Sequence, residues 1–276
     1  MNIFDQMLSR YLVKTNDDYI NAQHEVMQQI TLAGLYRGGF FDNAAFYGGT
    51  CLRIFYGLQR FSEDIDFSLV QSDVDFKLEN YFEPVITEFK ALGRDVVISK
   101  KEKKNQTNIE SAFLKDDSVQ YNLKFRTDRN IKIKIEVDIN PPPGFSTEYK
   151  LSLLPFSFMT RCFNLPGLYA GKMHALLFRN WKNRLKGRDW YDFEWYVRNN
   201  TPLDFNHLCH RTNQSGSYST GEFTQGNFLT LLKEKISKTN IEMVKADVRP
   251  FIRKPEEMDI WSVEYFTQLA DMICFE

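Results

Sequence analysis

The residues with the clearest chemical potential fall in the stretch YGGTCLRIFYGLQRFSEDIDF, Tyr47 to Phe67. Asp64 and Asp66 are hard oxygen ligands of the kind Mg²⁺ takes, together with water and a substrate's own phosphates. Gly48 and Gly49 allow a tight turn and close backbone approach, and amides at a helix start can cradle phosphate, with the Thr50 hydroxyl as a further donor. Each half also has an ordinary reading, a plain strand-to-helix turn for the glycines and a solvated sheet edge for the aspartates. At this spacing they point jointly to a site where phosphates and a divalent metal meet. A third carboxylate, Asp138 in KIEVDIN, would let one ion hold a triphosphate while another helps deprotonate an attacking hydroxyl. Glu136 lies on the same face and competes for that role. Asp138 is preferred because it lies nearer the strand end, and an exposed strand charge is the ordinary alternative for either.

Further candidates come from the second half of the chain. Lys172 in GKMHALL stands among apolar neighbours, where a phosphate partner would explain it as well as a snorkelling lysine does. Asp189 and Asp192 in RDWYDF are three apart on a helix and share a face, positioned to order Lys172 or a nucleotide, or to cap and pair locally. Arg179, Lys182, Arg184, Lys186 and Arg188, with Trp181 interleaved, read either as a footprint for an RNA backbone or as a solvated helix face. His207 and His210 flank Cys209 without a second ligand pair at zinc spacing. GxSxG, Walker A and HExxH patterns are absent, which leaves serine hydrolase, P-loop and zincin chemistry without support.

These groups need elements to hold them. Apolar positions from Asp17 to Tyr36 recur with helical period, NAAFYGGT reads as a strand entering a turn, and Cys51 to Tyr56 begins a helix. DIDFSLV alternates as a strand, which puts Asp64 and Asp66 on one face and Ile65 and Phe67 towards the core. Asn130 to Asn140 alternates more regularly still. A polar helix is expected around Phe76 to Leu92, and DVVISKKEKKNQTNIESAFL and VQYNLKFR are expected as neighbouring strands. Prolines between about Pro141 and Pro166 mark a domain change, after which the pattern is helical apart from a Ser/Gly/Thr-rich loop from Arg211 to Asn227. The expected organisation is a mixed sheet with flanking helices over residues 1–155 and a helical domain over 156–276, with the site in the cleft between them.

The 276 residues are 43% hydrophobic and 26% charged, with a formal net charge of -1, an ordinary globular profile without an overall basic bias. Four cysteines without CxxC spacing, no leader-like start and no apolar run long enough for a bilayer lead to the expectation of reduced thiols in a cytoplasmic protein without a membrane partner.

The ordered set YGGTCLR, RFSEDIDF, KIEVDIN, GKMHALLFR and RDWYDF resembles the AbiEii/AbiGii toxin family, a branch of the nucleotidyltransferase superfamily that includes the MenT toxins. The resemblance runs from about Gly48 to Phe193. It implies an α+β nucleotidyltransferase-like mixed sheet followed by a helical C-terminal domain that completes the active site. By position it implies that Gly48, Gly49 and Thr50 hold nucleotide phosphates, that Asp64, Asp66 and Asp138 hold metal, and that Lys172 contacts phosphate. Asp189 and Asp192 match its acidic motif without a choice between them, and Arg53 becomes a nucleotide-side or structural partner. The implied activity is transfer of a nucleotide from a nucleoside triphosphate, with Mg²⁺ or alternatively Mn²⁺, to an acceptor such as the tRNA 3′ end, within a toxin-antitoxin or abortive-infection pair. Competing expectations are a protein or small-molecule acceptor, or a nucleotide-binding regulator without turnover. Two departures stand out: Gly-Gly-Thr replaces the superfamily's common Gly-Ser, and the interval to the aspartates is slightly long.

Overall fold

The computed structural model describes residues 2–100, 118–125, 132–179, 185–219 and 221–276. The chain divides into two compact units, one of Met1–Tyr56, Ser62–Pro141 and Thr147–Cys162, the other of Gly57–Phe61, Pro142–Ser146 and Phe163–Glu276.

The first unit contains α1 (Ile3–Leu8), α2 (Asn16–Arg37), β1 (Ala44–Tyr47), α3 (Gly48–Phe55), β2 (Ile65–Leu69), α4 (Phe82–Ala91), β3 (Val96–Lys100), β4 (Ser118–Phe125), β5 (Lys132–Asp138), β6 (Thr147–Ser152) and β7 (Phe158–Phe163). Its strands form one seven-stranded sheet in the order β3-β4-β5-β2-β1-β7-β6. The sheet is mixed, since β1 runs antiparallel to β2 and parallel to β7, while β2 runs parallel to β5. Strand alternation does what the sequence requires: Ile133, Ile135 and Val137 are buried while Lys134, Glu136 and Asp138 are half-buried on the other face. Phe67 on β2 anchors the core, with its ring centroid 4.8 Å from that of Phe40 and 5.3 Å from that of Phe46. A capping box of Thr15 and Asp18 starts α2.

The second unit contains α5 (Leu165–Phe178), α6 (Arg188–Arg198), α7 (Phe205–Gln214), α8 (Gln225–Lys238), α9 (Ile241–Val248) and α10 (Val263–Asp271). Asn164 caps α5 by accepting from the Gly167 amide, and Pro166 sits in the first turn where its missing N–H costs nothing. Tyr169 on α5 stacks on Tyr196 of α6 with centroids 4.3 Å apart, and Trp190 meets Phe266 of α10 at 5.1 Å. Among the described residues no helix is long and apolar enough to cross a membrane.

Three readings change. β6 and β7 occupy the proline-marked stretch that carried no strand expectation, because their alternation is short and interrupted by Pro155. α7 reaches Gln214 and α8 starts at Gln225, so the expected loop from Arg211 is shorter at both ends. The expected helix over Phe76 to Leu92 is a short 3-10 turn at Leu78–Tyr81 followed by α4. Trp181, Lys182 and Arg184 lie outside the described residues, as do Lys101, Lys103 and Lys104, and Asn130 and Ile131 before β5.

Candidate functional site

In the first unit the chain leaves β1 at Tyr47 and turns directly into α3. Gly48 makes this turn with φ of +81°, a conformation that side-chain-bearing residues rarely adopt. A β-carbon there would stand 2.6 Å from Asp66 Oδ2, so the glycine is needed both for the turn and for the carboxylate beside it. The pairing that causes this proximity is β1 with β2, which sets Tyr47 opposite Asp66. Gly49 is half-buried in the first turn of α3, whose N-cap Tyr47 supplies no side-chain acceptor. The start of α3, with its partial positive charge, therefore lies against one carboxylate of the DxD pair.

Thr50 is fully buried, and its hydroxyl donates to the backbone carbonyl of Asp64. Its donor thus ties the helix start to the segment entering β2, leaving phosphate contact here to backbone amides. Gln28 on α2 acts on the same segment, its amide donating to the carbonyls of Ser62 at 2.9 Å and Glu63 at 3.0 Å. Three successive carbonyls are held in this way, and Gln28 was not singled out from the sequence because its partners lie 34 and 35 residues away. Arg53 pairs with Glu25 of α2 at 2.9 Å.

Asp64 and Asp66 are half-buried, with Ile65 and Phe67 buried between and beyond them. The register of β2 with β5 sets Asp66 beside Glu136 and Ser68 beside Asp138. The structure therefore places Glu136 next to the DxD pair, whereas Asp138 stands two residues farther along and accepts from the Asn140 amide at 3.1 Å. Lys134 shares this face and pairs with Glu136. Burial pulls its ammonium pKa down, but the bond to Glu136 and the charges of Glu136, Asp64 and Asp66 outweigh this and hold it up. The like charges thus have a built-in counter-cation, another residue that strand alternation placed without revealing its task. Among the described residues no three Asp, Glu, His or Cys side chains form a cage for a metal. Two hard carboxylates on one face fit Mg²⁺, which keeps several waters and shares its coordination with substrate phosphates.

The second unit gathers the remaining candidates. Lys172 Nζ on α5 lies 2.7 Å from Asp189 Oδ1 and 2.8 Å from Asp192 Oδ2 on α6. The i, i+3 spacing of the two aspartates is what lets one ammonium bridge them. Arg60, 2% exposed, reaches the fully buried Asp192 from the excursion Gly57–Phe61, with Nε on Oδ1 and Nη2 on Oδ2 both at 2.6 Å. Its Nη1 donates to the Phe61 carbonyl at 3.0 Å. Burial pushes both aspartate pKa values up, but Lys172 and Lys186 outweigh this for Asp189, and Arg60 and Lys172 for Asp192, so both stay below the ordinary carboxylate range. Lys172 is likewise held up, because its two carboxylates overcome burial. Lys186 moves the other way: burial lowers its pKa, Asp189 compensates in part, and Lys172, Arg179 and Arg188 add to the lowering. Among the described residues, Arg60, Lys172 and Lys186 stand around the two carboxylates Asp189 and Asp192. Arg60 opens RFSEDIDF, and nothing in that stretch signals a partner on α6. His207 is buried against the rings of Phe145 and Phe163, and Cys209 and the other cysteines are free thiols.

A mixed sheet with a glycine turn feeding a helix, a DxD pair at the start of the neighbouring strand and a helical second unit defines a nucleotidyltransferase fold. The family model for the nucleotidyl transferase AbiEii toxin of type IV toxin-antitoxin systems matches residues 30–273. The chain belongs to this AbiEii family and is a nucleotidyltransferase toxin of a type IV system, a class that acts with a nucleoside triphosphate and has an antitoxin partner. Among solved structures, MenT4, a nucleotidyltransferase toxin of Mycobacterium tuberculosis H37Rv, superposes with a TM-score of 0.56 at 15% identity, covering 97% of this chain and 87% of that one. A putative nucleotidyltransferase from H. pylori gives a TM-score of 0.49 at 18% identity over 90% of this chain and 91% of that one. No curated protein matches the chain.

Proposed function

We propose that this toxin transfers a nucleotide from a nucleoside triphosphate to the 3′ end of an RNA, with tRNA as the acceptor, in a reaction that depends on Mg²⁺, or Mn²⁺ in its place. The observation that carries this reading is the Gly48 turn, where the start of α3 lies against Asp66 with no room for a side chain. In our reading the amides of Gly48, Gly49 and Thr50 bind triphosphate oxygens, and Asp64 and Asp66 hold the metal. A divalent metal held by these carboxylates would neutralise phosphate charge and favour ionisation of the attacking hydroxyl. The acceptor oxygen forms a bond to the α-phosphorus, the bond from that phosphorus to the bridging oxygen breaks, and pyrophosphate leaves. The proton passes to a carboxylate of the β2–β5 face, for which the register favours Glu136 over Asp138. Lys172 has three ammonium donors, and those not directed at Asp189 and Asp192 are available to a phosphate oxygen. Arg179, Lys186 and Arg188 supply further positive charge for an RNA backbone. Modified tRNA would no longer accept an amino acid, which suits a cytoplasmic toxin acting in abortive infection.

The test is incubation of the purified protein with Mg²⁺, total tRNA and each α-labelled nucleoside triphosphate in turn, alongside Asp66→Asn. Label on tRNA with wild type and none with the variant is expected. Label on protein or small acceptors but not on RNA would overturn the acceptor. Intact nucleotide binding without release of pyrophosphate would overturn the transfer.

A further inference from the structure

At the outer end of the sheet, β6 has one strand neighbour among the described residues, β7. Alternation puts Tyr149, Leu151 and the following Leu153 on one side of the chain, and they are 55%, 60% and 63% exposed. An apolar edge of this kind is a template for another strand, and proteins that must keep such an edge unpaired commonly place lysine on it. Lys150 does not guard this one. Its Nζ is 2.9 Å from Glu148 Oε2 and 4.5 Å from the centre of the Tyr56 ring, and the Tyr56 hydroxyl donates to Glu148 Oε1 at 2.7 Å. Both charges are neutralised within the chain, and the edge presents no net charge to an approaching strand.

We propose that β6 is an interface between two copies of this chain, paired antiparallel about a two-fold axis at Tyr149. Charge order selects this occupant and this register. An antiparallel pair keeps the apolar face continuous only when the axis passes through a residue position, because a one-residue slip exchanges the faces. An axis at Glu148 or at Lys150 sets that residue against its own copy, like charge on like. An axis at Leu151 leaves Lys150 opposite the partner's Ser152. At Tyr149, Glu148 faces the partner's Lys150 and Lys150 faces the partner's Glu148, closing a ring of four alternating charges. Tyr149 then stands opposite the partner's Tyr149, with Leu151 diagonal to it and within reach of the aromatic ring. A foreign strand would have to bring matching charges in this order, whereas a second copy already carries them.

The experiment is sedimentation velocity on the full chain over a range of concentrations. Wild type is expected to form a concentration-dependent dimer. E148K and K150E each set like charges opposite one another, and each should raise the dimerisation midpoint about tenfold or more. Mixing E148K with K150E in equal amounts should restore the dimer, because every cross-strand pair is again of opposite sign. Wild type that stays monomeric to about 100 µM overturns the proposal, since specific self-association of use in solution is tighter than this. Variants that dimerise separately as well as wild type overturn the register. Thermal melts check folding, and Tyr149→Cys in a Cys274→Ser background is independent of the charge variants. Residues directly opposite in an antiparallel pair are at disulfide distance, so mild oxidation should cross-link Tyr149→Cys into a dimer, and failure to cross-link also overturns the register.

Discussion

Arg60→Met offers the sharpest test of how the second unit holds its charges. The substitution keeps an unbranched apolar stem but ends short of the guanidinium, and so removes the fork on Asp192, two contacts of 2.6 Å, and the 3.0 Å bond to the Phe61 carbonyl. Removing one partner of a buried ion pair costs about 3–5 kcal/mol, because the other charge stays buried without it. Lys172 remains 2.8 Å from Asp192 and offsets part of the loss, so a value near 3 kcal/mol is expected. For a protein of this size that lowers the melting temperature by about 6–12 °C. All four tryptophans lie in the second half of the chain, so urea unfolding followed by their fluorescence reports the second unit specifically. Arg60→Met with Asp192→Leu removes both charges and should recover most of the loss, because apolar replacement of a whole buried pair is often close to neutral.

The pH dependence has a definite sign. Burial raises the Asp192 pKa, but Arg60 and then Lys172 outweigh it and hold the carboxyl below its ordinary value. The stability gained from this pairing is complete above the unfolded value of about 3.9 and is lost as pH falls through the lower folded value. Without Arg60 the burial effect is opposed by Lys172 alone, and Asp192 takes up a proton at higher pH. The penalty of Arg60→Met should therefore shrink as the pH is lowered from neutral towards the unfolded value of about 3.9. A penalty below about 0.5 kcal/mol, or a double variant no more stable than Arg60→Met, would refute the claim that this pair carries the cluster.

Gly48→Ala forces a side chain into a left-handed turn and against Asp66; a loss of about 1–2 kcal/mol and weakened binding of Mg²⁺-nucleotide are expected by circular-dichroism melts and calorimetry. Asp66→Asn relieves like-charge repulsion, so its melting temperature should equal or exceed that of wild type while transfer falls at least about 100-fold; retained transfer would remove Asp66 from the site. Gln28→Leu deletes two donors to the Ser62 and Glu63 carbonyls and should cost about 1–2 kcal/mol with slower transfer, whereas an unchanged rate would show that this segment needs no such support. Burial, with Arg211 and Arg179 nearby, holds His174 down to about 3, and burial with Arg211 holds His207 down to about 3. Both lie under the unfolded value of about 6.5, so their contribution is complete above that pH and is lost progressively as the solution is acidified. The urea midpoint should fall between about pH 7 and about pH 5, and His207→Leu should flatten that slope.

What could be read from the sequence was whatever period and local spacing encode. Strand alternation placed Asp64 and Asp66 on one face and Lys134, Glu136 and Asp138 on another strand's matching face, and the i, i+3 rule placed Asp189 with Asp192. Neither pattern contains the register between β2 and β5, which is fixed by how two non-consecutive strands meet. That register decides that Glu136 is the neighbour of Asp66, and nearness to the strand end was a poor guide to it. Gln28, Thr50 and Arg60 were misread or missed for a related reason. Each acts on a group distant in sequence, and for Gln28 and Thr50 those distant groups are backbone carbonyls, which every residue possesses and no residue type marks. Arg60 belongs by contact to the second unit although it precedes the DxD strand by only a few residues, since the chain enters that unit at Gly57 and leaves it after Phe61. A composition shift cannot announce an excursion of this length, because its few side chains satisfy the packing of the unit they visit rather than the pattern of the residues around them. The physical sign that it exists is a charge, the arginine beside a buried aspartate, and that sign becomes visible only when its partner on α6 is in place.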